Sequence, residues 1–256
     1  MSEQIEQESR ISAFIFDLDG TLVETERLKA KSYATILGRL TGANAPDRRA
    51  IELYERIVGS TDEMVSRRMI NEFGLADSLD PIDGELWKHL HQIRMDEYRA
   101  TDGATDQLLK NVYQHNIDLL RDQKRNGRTV SVATSSFSDE AKRVLDALGV
   151  RVLLDDVVGR EMITNPKPEP DIYLLAMDRL GVAPEEVVII EDSPIGTKAA
   201  MASGASWICV STLFSRASIE ASSWLDPQWV VHDTAKLNET VSRRINSTSN
   251  AWSPTR

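Results

Sequence analysis

Asp17 and Asp19 stand two residues apart, directly after the apolar run from Ala13 to Phe16, and Gly20 and Thr21 follow at once. The run reads as a buried strand of a parallel sheet and Gly20 as its end. Both carboxylates therefore leave the carboxyl end of a strand, where open α/β sheets bind their ligands. Paired carboxylates in a dry crevice can hold a divalent cation, attack phosphorus and move protons. A bare Asp-x-Asp-Gly is also an ordinary surface turn, so the remaining chemistry-bearing residues must decide.

Three further signals follow apolar or proline-rich stretches. Thr134 and Ser135 come straight after Val130 to Ala133, where a hydroxyl and neighbouring backbone N–H groups can hold a phosphate oxygen; the plainer reading is a strand end or helix cap. Lys167 lies between Pro166 and Pro168, and Pro170 suits the first turn of a following helix. A lysine pinned in this way can offset the charge of a phosphoryl group and of clustered carboxylates. Glu191 and Asp192 follow Val187 to Ile190 and precede a Ser193-Pro194 helix start. Packed carboxylates repel unless a cation or protons intervene, and a few hard oxygen ligands favour Mg²⁺. The helix dipole offers a competing account of an acid there, but it suits one carboxylate better than two. Together these residues supply a nucleophile, a proton donor, a positive clamp and a metal site, the parts of phosphoryl transfer.

The elements that must position them alternate. Strands are expected at Ala13 to Phe16, Thr129 to Ala133, Val152 to Val158, Val187 to Ile190, Ser206 to Val210 and Trp229 to Val231. Helices such as Asp139 to Leu148, Asp171 to Leu180 and Ile195 to Ser203 separate them. Alternation of this kind predicts an α/β protein with a doubly wound, Rossmann-like parallel sheet. From Thr25 to about Ala104 only helical periodicity recurs, in Leu28 to Leu40, Arg49 to Val58, Met64 to Phe73 and Glu85 to Tyr98. The expected organisation is a core of residues 11–24 and 105–246, a helical cap of 25–104, and flexible tails at 1–10 and 247–256. Lys110 to Arg125 reads as the helix returning the chain to the sheet. A cap inserted just past the Asp pair would hang over the site as a lid.

Composition narrows the partners. The 256 residues can bury a sizeable core, and a net charge of −10 disfavours nucleic acid or an anionic membrane. The single cysteine, Cys209, cannot form an internal disulfide and reads as a buried strand residue, so a cytoplasmic location is expected. The polar, acidic first ten residues do not read as a signal peptide. The expected partner is a small phosphorylated metabolite, and a monomer and a homodimer both stay open. The four histidines show no zinc-type spacing.

At this point the chain resembles the haloacid dehalogenase superfamily, in the branch with a small helical cap after the first motif that includes β-phosphoglucomutase and many sugar-phosphate phosphatases. The resemblance spans Ala13 to about Leu237 and rests on Asp17-Leu18-Asp19-Gly20-Thr21, Thr134, Lys167 and Glu191-Asp192, in the family's order. It implies that Asp17 is the nucleophile, that Asp19 is the acid and base, and that Thr134 and Lys167 hold the transferring group, with Gly20, Ser135 and Arg94 as further phosphate- or substrate-binding residues. It implies Mg²⁺ bound by Asp17, the Asp19 carbonyl and Asp192, with Glu191 as a ligand or just behind them. Asp19 argues for phosphate chemistry rather than dehalogenation. Asp62 and Phe137 stand where the mutases of this branch place an arginine and a lysine, which favours a hydrolase over a phosphosugar mutase. Lys29 stands where many relatives have histidine, and reads from its own surroundings as a solvated helix face. Asn111 to His115 replaces the usual Pro-Gly-Val before the second strand, and Asn165-Pro166 replaces the usual glycine before the lysine.

Overall fold

The structure, a computed structural model, describes residues 10–43, 45–101 and 105–250. Six strands form one all-parallel sheet in the order β3-β2-β1-β4-β5-β6. They are β1 (Ala13–Phe16), β2 (Thr129–Ala133), β3 (Asp156–Val158), β4 (Val187–Glu191), β5 (Ser206–Val210) and β6 (Val230–Val231). The helices are α1 (Thr25–Leu40), α2 (Arg48–Arg56), α3 (Asp62–Phe73), α4 (Leu86–Ala100), α5 (Thr105–Lys110), α6 (Gln114–Arg125), α7 (Ser138–Ala147), α8 (Asp171–Leu180), α9 (Pro194–Ala202), α10 (Arg216–Glu220) and α11 (Leu237–Asn250).

Successive residues of each central strand feed opposite faces of the sheet, because side chains alternate with period two. Phe14, Phe16, Val130, Val132, Val188 and Ile190 pack with Ile117 and Leu120 of α6, Val144 of α7 and Val241 of α11. Ala13, Ile15, Val187, Ile189 and Cys209 pack with Ile172 and Met177 of α8 and Ala199 of α9. Both faces are covered, so the strands are continuously apolar rather than alternating. The register sets Phe16 beside Val132 on one side and Ile190 on the other. The chain therefore leaves β1, β2 and β4 at one level of one edge, which brings 17–19, 134–136 and 191–193 together.

Between β1 and β2 the described residues hold helices and no strand. Helices α1 to α4 bury a core of their own, in which Tyr33, Leu37, Leu53, Met69 and Leu90 meet. A buried leucine or methionine there contributes about 1.5–3 kcal/mol. Helix α3 starts where Thr61 accepts a hydrogen bond from the Met64 N–H at 3.2 Å, and ends at Gly74, whose φ of 61° suits a residue without Cβ.

Three expectations are corrected. The third strand is shorter than Val152 to Val158, because Arg151–Leu153 forms a 3₁₀ turn that leaves Val152 on the surface. The returning helix does not begin at Lys110. Helix α5 ends there, Val112 bridges to Val23, and Tyr113 N–H donates to the Leu22 carbonyl before α6 starts. This short crossing ties the outgoing chain to the returning one. Residues 247–250 continue α11 instead of starting a flexible tail, and Arg10 is ion-paired with Glu185. The rest of the expected tails, 1–9 and 251–256, lies outside the described residues.

Candidate active site

Asp17 continues the β1 ladder, its N–H donating to the Ile190 carbonyl at 2.9 Å, so its side chain is fixed at the sheet edge. Lys167 reaches it from the loop before α8. Its Nζ donates to Asp17 Oδ1 and to Glu191 Oε1, each at 2.7 Å, and all three side chains are buried. The other Glu191 oxygen, Oε2, accepts from the N–H groups of Asp192 and Ser193 and from Ser193 Oγ, while the Tyr173 hydroxyl donates to Oε1 at 2.6 Å. Glu191 is thus surrounded by donors. Helix α9 comes close enough for this only because residue 196 is glycine: a Cβ there would lie 1.8 Å from Glu191 Oε1. Asp192 is held from one side, where Thr21 Oγ1 donates to its Oδ1 at 3.2 Å. Gly20, at φ +89°, fits beneath it, where a Cβ would stand 2.3 Å from Asp192 Oδ2.

These carboxylates form one electrostatic unit. Oxygens of Asp17, Glu191 and Asp192 lie within 4.8 Å of one another. Burial raises Glu191, but Lys167, Tyr173 and the backbone N–H groups outweigh it and hold the carboxyl below its ordinary range. Burial raises Asp17 well above that range despite Lys167, and burial with the neighbouring Glu191 and Asp17 charges does the same for Asp192. Two carboxyls whose charged forms are disfavoured, each keeping an oxygen without a hydrogen-bond partner among the described residues, make a site suited to a cation.

Asp19 belongs to a second network. Lys29 Nζ stands 2.8 Å from its Oδ2, which also accepts from Ser136 Oγ at 2.5 Å and from Thr134 Oγ1 at 3.3 Å. Thr25 Oγ1 donates to Oδ1. Lys29 donates onward to Ser136 Oγ at 3.0 Å. Burial pushes the Asp19 carboxyl up, but the Lys29 ammonium and the hydroxyl donors prevail and keep it below the ordinary range. Thr25 and Lys29 both come from the first turns of α1, so the helical insertion supplies half of Asp19's surroundings.

The cleft between these groups is lined by Asp17, Asp19, Thr134, Ser135, Lys167 and Glu191, and from the insertion by Glu26, Lys29, Tyr54, Gly59, Ser60 and Asp62. It is almost shut, with free room of about 10 Å³, about one water. Ser135 Oγ donates to the Gly59 carbonyl at 3.3 Å across the mouth. Gly20 supports Asp192 from outside the lining. Arg94 also stands outside it: the side chain is wholly buried behind Asp62, to whose Oδ1 its Nη2 donates at 2.7 Å. Lys29 is not solvated, as its helical setting suggested, but buried and ion-paired. Sequence reasoning also passed over Thr25, Ser136, Glu26 and Tyr173. Ser136 had a signal, since it completes the hydroxyl run Thr134-Ser135-Ser136. The other three sit in helices with no local mark of what they face.

Residues 14–210 match the profile of the haloacid dehalogenase-like hydrolases, and the chain belongs to that family. The fructose-1-phosphate phosphatase YqaB of Escherichia coli is 31% identical over 195 residues, covering 76% of this chain and 94% of that protein. A phosphorylated carbohydrates phosphatase of Thermotoga maritima is 28% identical over 194 residues, covering 76% of this chain and 82% of that protein. Among solved structures, β-phosphoglucomutase from Clostridium difficile superimposes with a TM-score of 0.74 at 22% identity, covering 93% of this chain and 98% of that one; it shows the shared fold.

Proposed function

We propose that this protein is a Mg²⁺-dependent phosphatase of small phosphorylated metabolites, sugar phosphates foremost, working through a phosphoryl group carried on Asp17. The carrying observation is the pairing of Asp17 with Lys167. One carboxylate oxygen is pinned at 2.7 Å, and the other has no partner among the described residues. A nucleophile suits such an arrangement: Lys167 fixes its orientation, and its two oxygens can divide the attack on phosphorus and the hold on a cation between them. The relatives named as phosphatases of fructose 1-phosphate and of phosphorylated carbohydrates support the same reading.

The donor set fits the cation. Asp17 and Asp192 each keep a carboxylate oxygen, while Glu191 is occupied by Lys167, Tyr173 and the start of α9, so Asp17 and Asp192 would hold Mg²⁺ and Glu191 would orient their neighbours. Bound there, Mg²⁺ supplies charge neutralisation for a phosphate beside three carboxylates. Asp17 forms a bond to phosphorus as the ester P–O bond breaks, and the departing alkoxide takes a proton from Asp19, which has to bind one first against the Lys29 ammonium that otherwise keeps it ionised. Water then attacks phosphorus, gives its proton to Asp19 and restores the Asp17 carboxylate. Lys167 offsets the charge that gathers on the phosphoryl oxygens. The closed cleft excludes bulk water, so the helical insertion must lift for ester to enter.

Acid quench followed by mass spectrometry tests the route. The protein incubated with a sugar phosphate should carry a phosphate-sized adduct on the peptide containing Asp17, and Asp17→Asn should carry none and turn over nothing while keeping its circular dichroism. Normal turnover by Asp17→Asn would refute the assignment. Release of inorganic phosphate without formation of an isomeric sugar phosphate separates the hydrolase from a phosphosugar mutase.

A further inference from the structure

We propose that Asp62 makes this site selective for phosphomonoesters whose leaving group carries hydroxyls and no second anionic group. The inference rests on the phosphatase reading above and names the substrate class of that same cleft.

The charges of the cleft are unevenly placed. Its two lysines are already engaged: Lys167 with Asp17 and Glu191, Lys29 with Asp19 and Ser136. The remaining wall on the insertion side is Glu26, Tyr54, Gly59, Ser60 and Asp62, which offers hydroxyls, backbone and carboxyls and no further cation among the described lining residues. A further cation of the insertion, Arg94, is kept out of the lining. It is fully buried, lies 5.3 Å from the Tyr33 ring centroid and 6.0 Å from that of Tyr98, and its Nη2 is bonded to Asp62 Oδ1. Its Nε and Nη1 have no partner among the described residues. Asp62 therefore stands between a buried guanidinium and the cleft. Among the described residues its second oxygen has only His91, at 3.8 Å.

A carboxylate in this position accepts hydrogen bonds from the hydroxyls of a polyol or sugar. A second phosphate at the same distance from the first would meet a like charge in a nearly dry cleft, with no free cation to answer it. Arg94 could answer it only if Asp62 let go. Discrimination of this kind comes from the unpaired or repelled group in the wrong ligand as much as from contacts to the right one. Burial pushes the Asp62 carboxyl up, but Arg94 and Lys29 prevail and keep it below the ordinary range, and its place in the first turn of α3, at a helix N-terminus, also suits a negative charge.

The test compares two sugars that differ by one phosphate, fructose 1-phosphate and fructose 1,6-bisphosphate, with p-nitrophenyl phosphate as a control that has neither hydroxyls nor a second anion. The wild-type protein should show kcat/KM at least about ten-fold higher for the monophosphate. Asp62→Asn keeps the shape, removes the charge and releases Arg94, so that ratio should fall by about ten-fold, chiefly through a lower KM for the bisphosphate. Equal wild-type use of both sugars would overturn the proposal, as would a folded Asp62→Asn protein with an unchanged ratio. If Asp62→Asn does not fold, the wild-type ratio decides alone. Turnover of p-nitrophenyl phosphate beside equal use of both sugars would sink the selectivity and leave the phosphatase standing. No release from any of the three esters would remove the phosphatase reading itself.

Discussion

Replacing Lys29 by methionine separates two jobs that a buried lysine can do here. Its Nζ touches Asp19 at 2.8 Å and Ser136 at 3.0 Å, while Lys167 is the lysine on Asp17. Methionine preserves the aliphatic stem and leaves the Asp19 carboxylate buried without its counter-ion. Breaking one partner of a buried pair costs about 3–5 kcal/mol, a large share of the ~5–15 kcal/mol that holds a typical domain together. Urea denaturation should show that loss, and the double variant Lys29→Met with Asp19→Asn should recover part of it, because no unpaired charge then remains. The kinetic consequence depends on the leaving group. Without the ammonium the Asp19 carboxyl keeps a proton more readily but loses the contact that orients it, and on the proposed route a sugar alkoxide needs that proton aimed at the leaving oxygen, so kcat/KM should fall by about 10²–10⁴. The phenolate of p-nitrophenyl phosphate departs without one, so its loss should stay below about ten-fold. On the proposed route kcat/KM reports formation of the phosphoryl-enzyme, so the later hydrolysis does not blur the comparison. Equal losses for both esters would show that Lys29 acts on the phosphoryl group directly and would refute its role through Asp19.

Glu26 should make stability depend on pH. Burial, only partly offset by Lys29, raises its carboxyl from 4.5 to about 7. Between those values the unfolded chain loses the proton first, so rising pH should cost about 3 kcal/mol of stability; Glu26→Gln should lack that slope in denaturation curves taken at pH 4.5 and 8. Tyr173→Phe removes the hydroxyl 2.6 Å from Glu191 and should cost about 1.5–3 kcal/mol, since the acceptor is a charged, buried group; an unchanged denaturation midpoint would argue that Tyr173 is only packing. Gly196→Ala places a methyl where Glu191 Oε1 lies and should displace that carboxylate, giving a protein about 3–5 kcal/mol less stable and nearly inactive towards sugar phosphates. A stable, active alanine variant would mean that α9 can shift at little cost.

The strands were legible because the sheet is buried on both faces, and such strands announce themselves as short β-branched runs; Ser206–Val210 and Thr129–Ala133 have the expected bounds. Val152 misled because an apolar residue need not be inside, and the turn that exposes it has no breaker residue. The Asn111–Tyr113 interruption was hidden in a helical pattern, since its cause is pairing with Leu22 and Val23, far off in sequence. Asp17, Asp19, Thr134, Lys167, Glu191 and Asp192 could be placed together because each ends or follows an element at a turn, where sequence punctuation is dense. Lys29, Glu26 and Tyr173 could not, because a helix interior looks the same from sequence whether it faces solvent or a carboxylate. Their role depends on how α1 and α8 are rotated against the sheet, a tertiary property.

Thr25 and Lys29 reach Asp19 from the opening turns of α1, and this has a bearing on how such proteins can diversify. The insertion can trade its distal helices for others and acquire a new clientele of esters. Its root cannot be exchanged so freely, because any transplant must arrive with a hydroxyl and a basic side chain aimed at Asp19. Chimeras that exchange the insertion beyond Leu40 should therefore keep their chemistry, whereas those spliced at Glu24 should inherit the donor's success or failure at that single carboxylate.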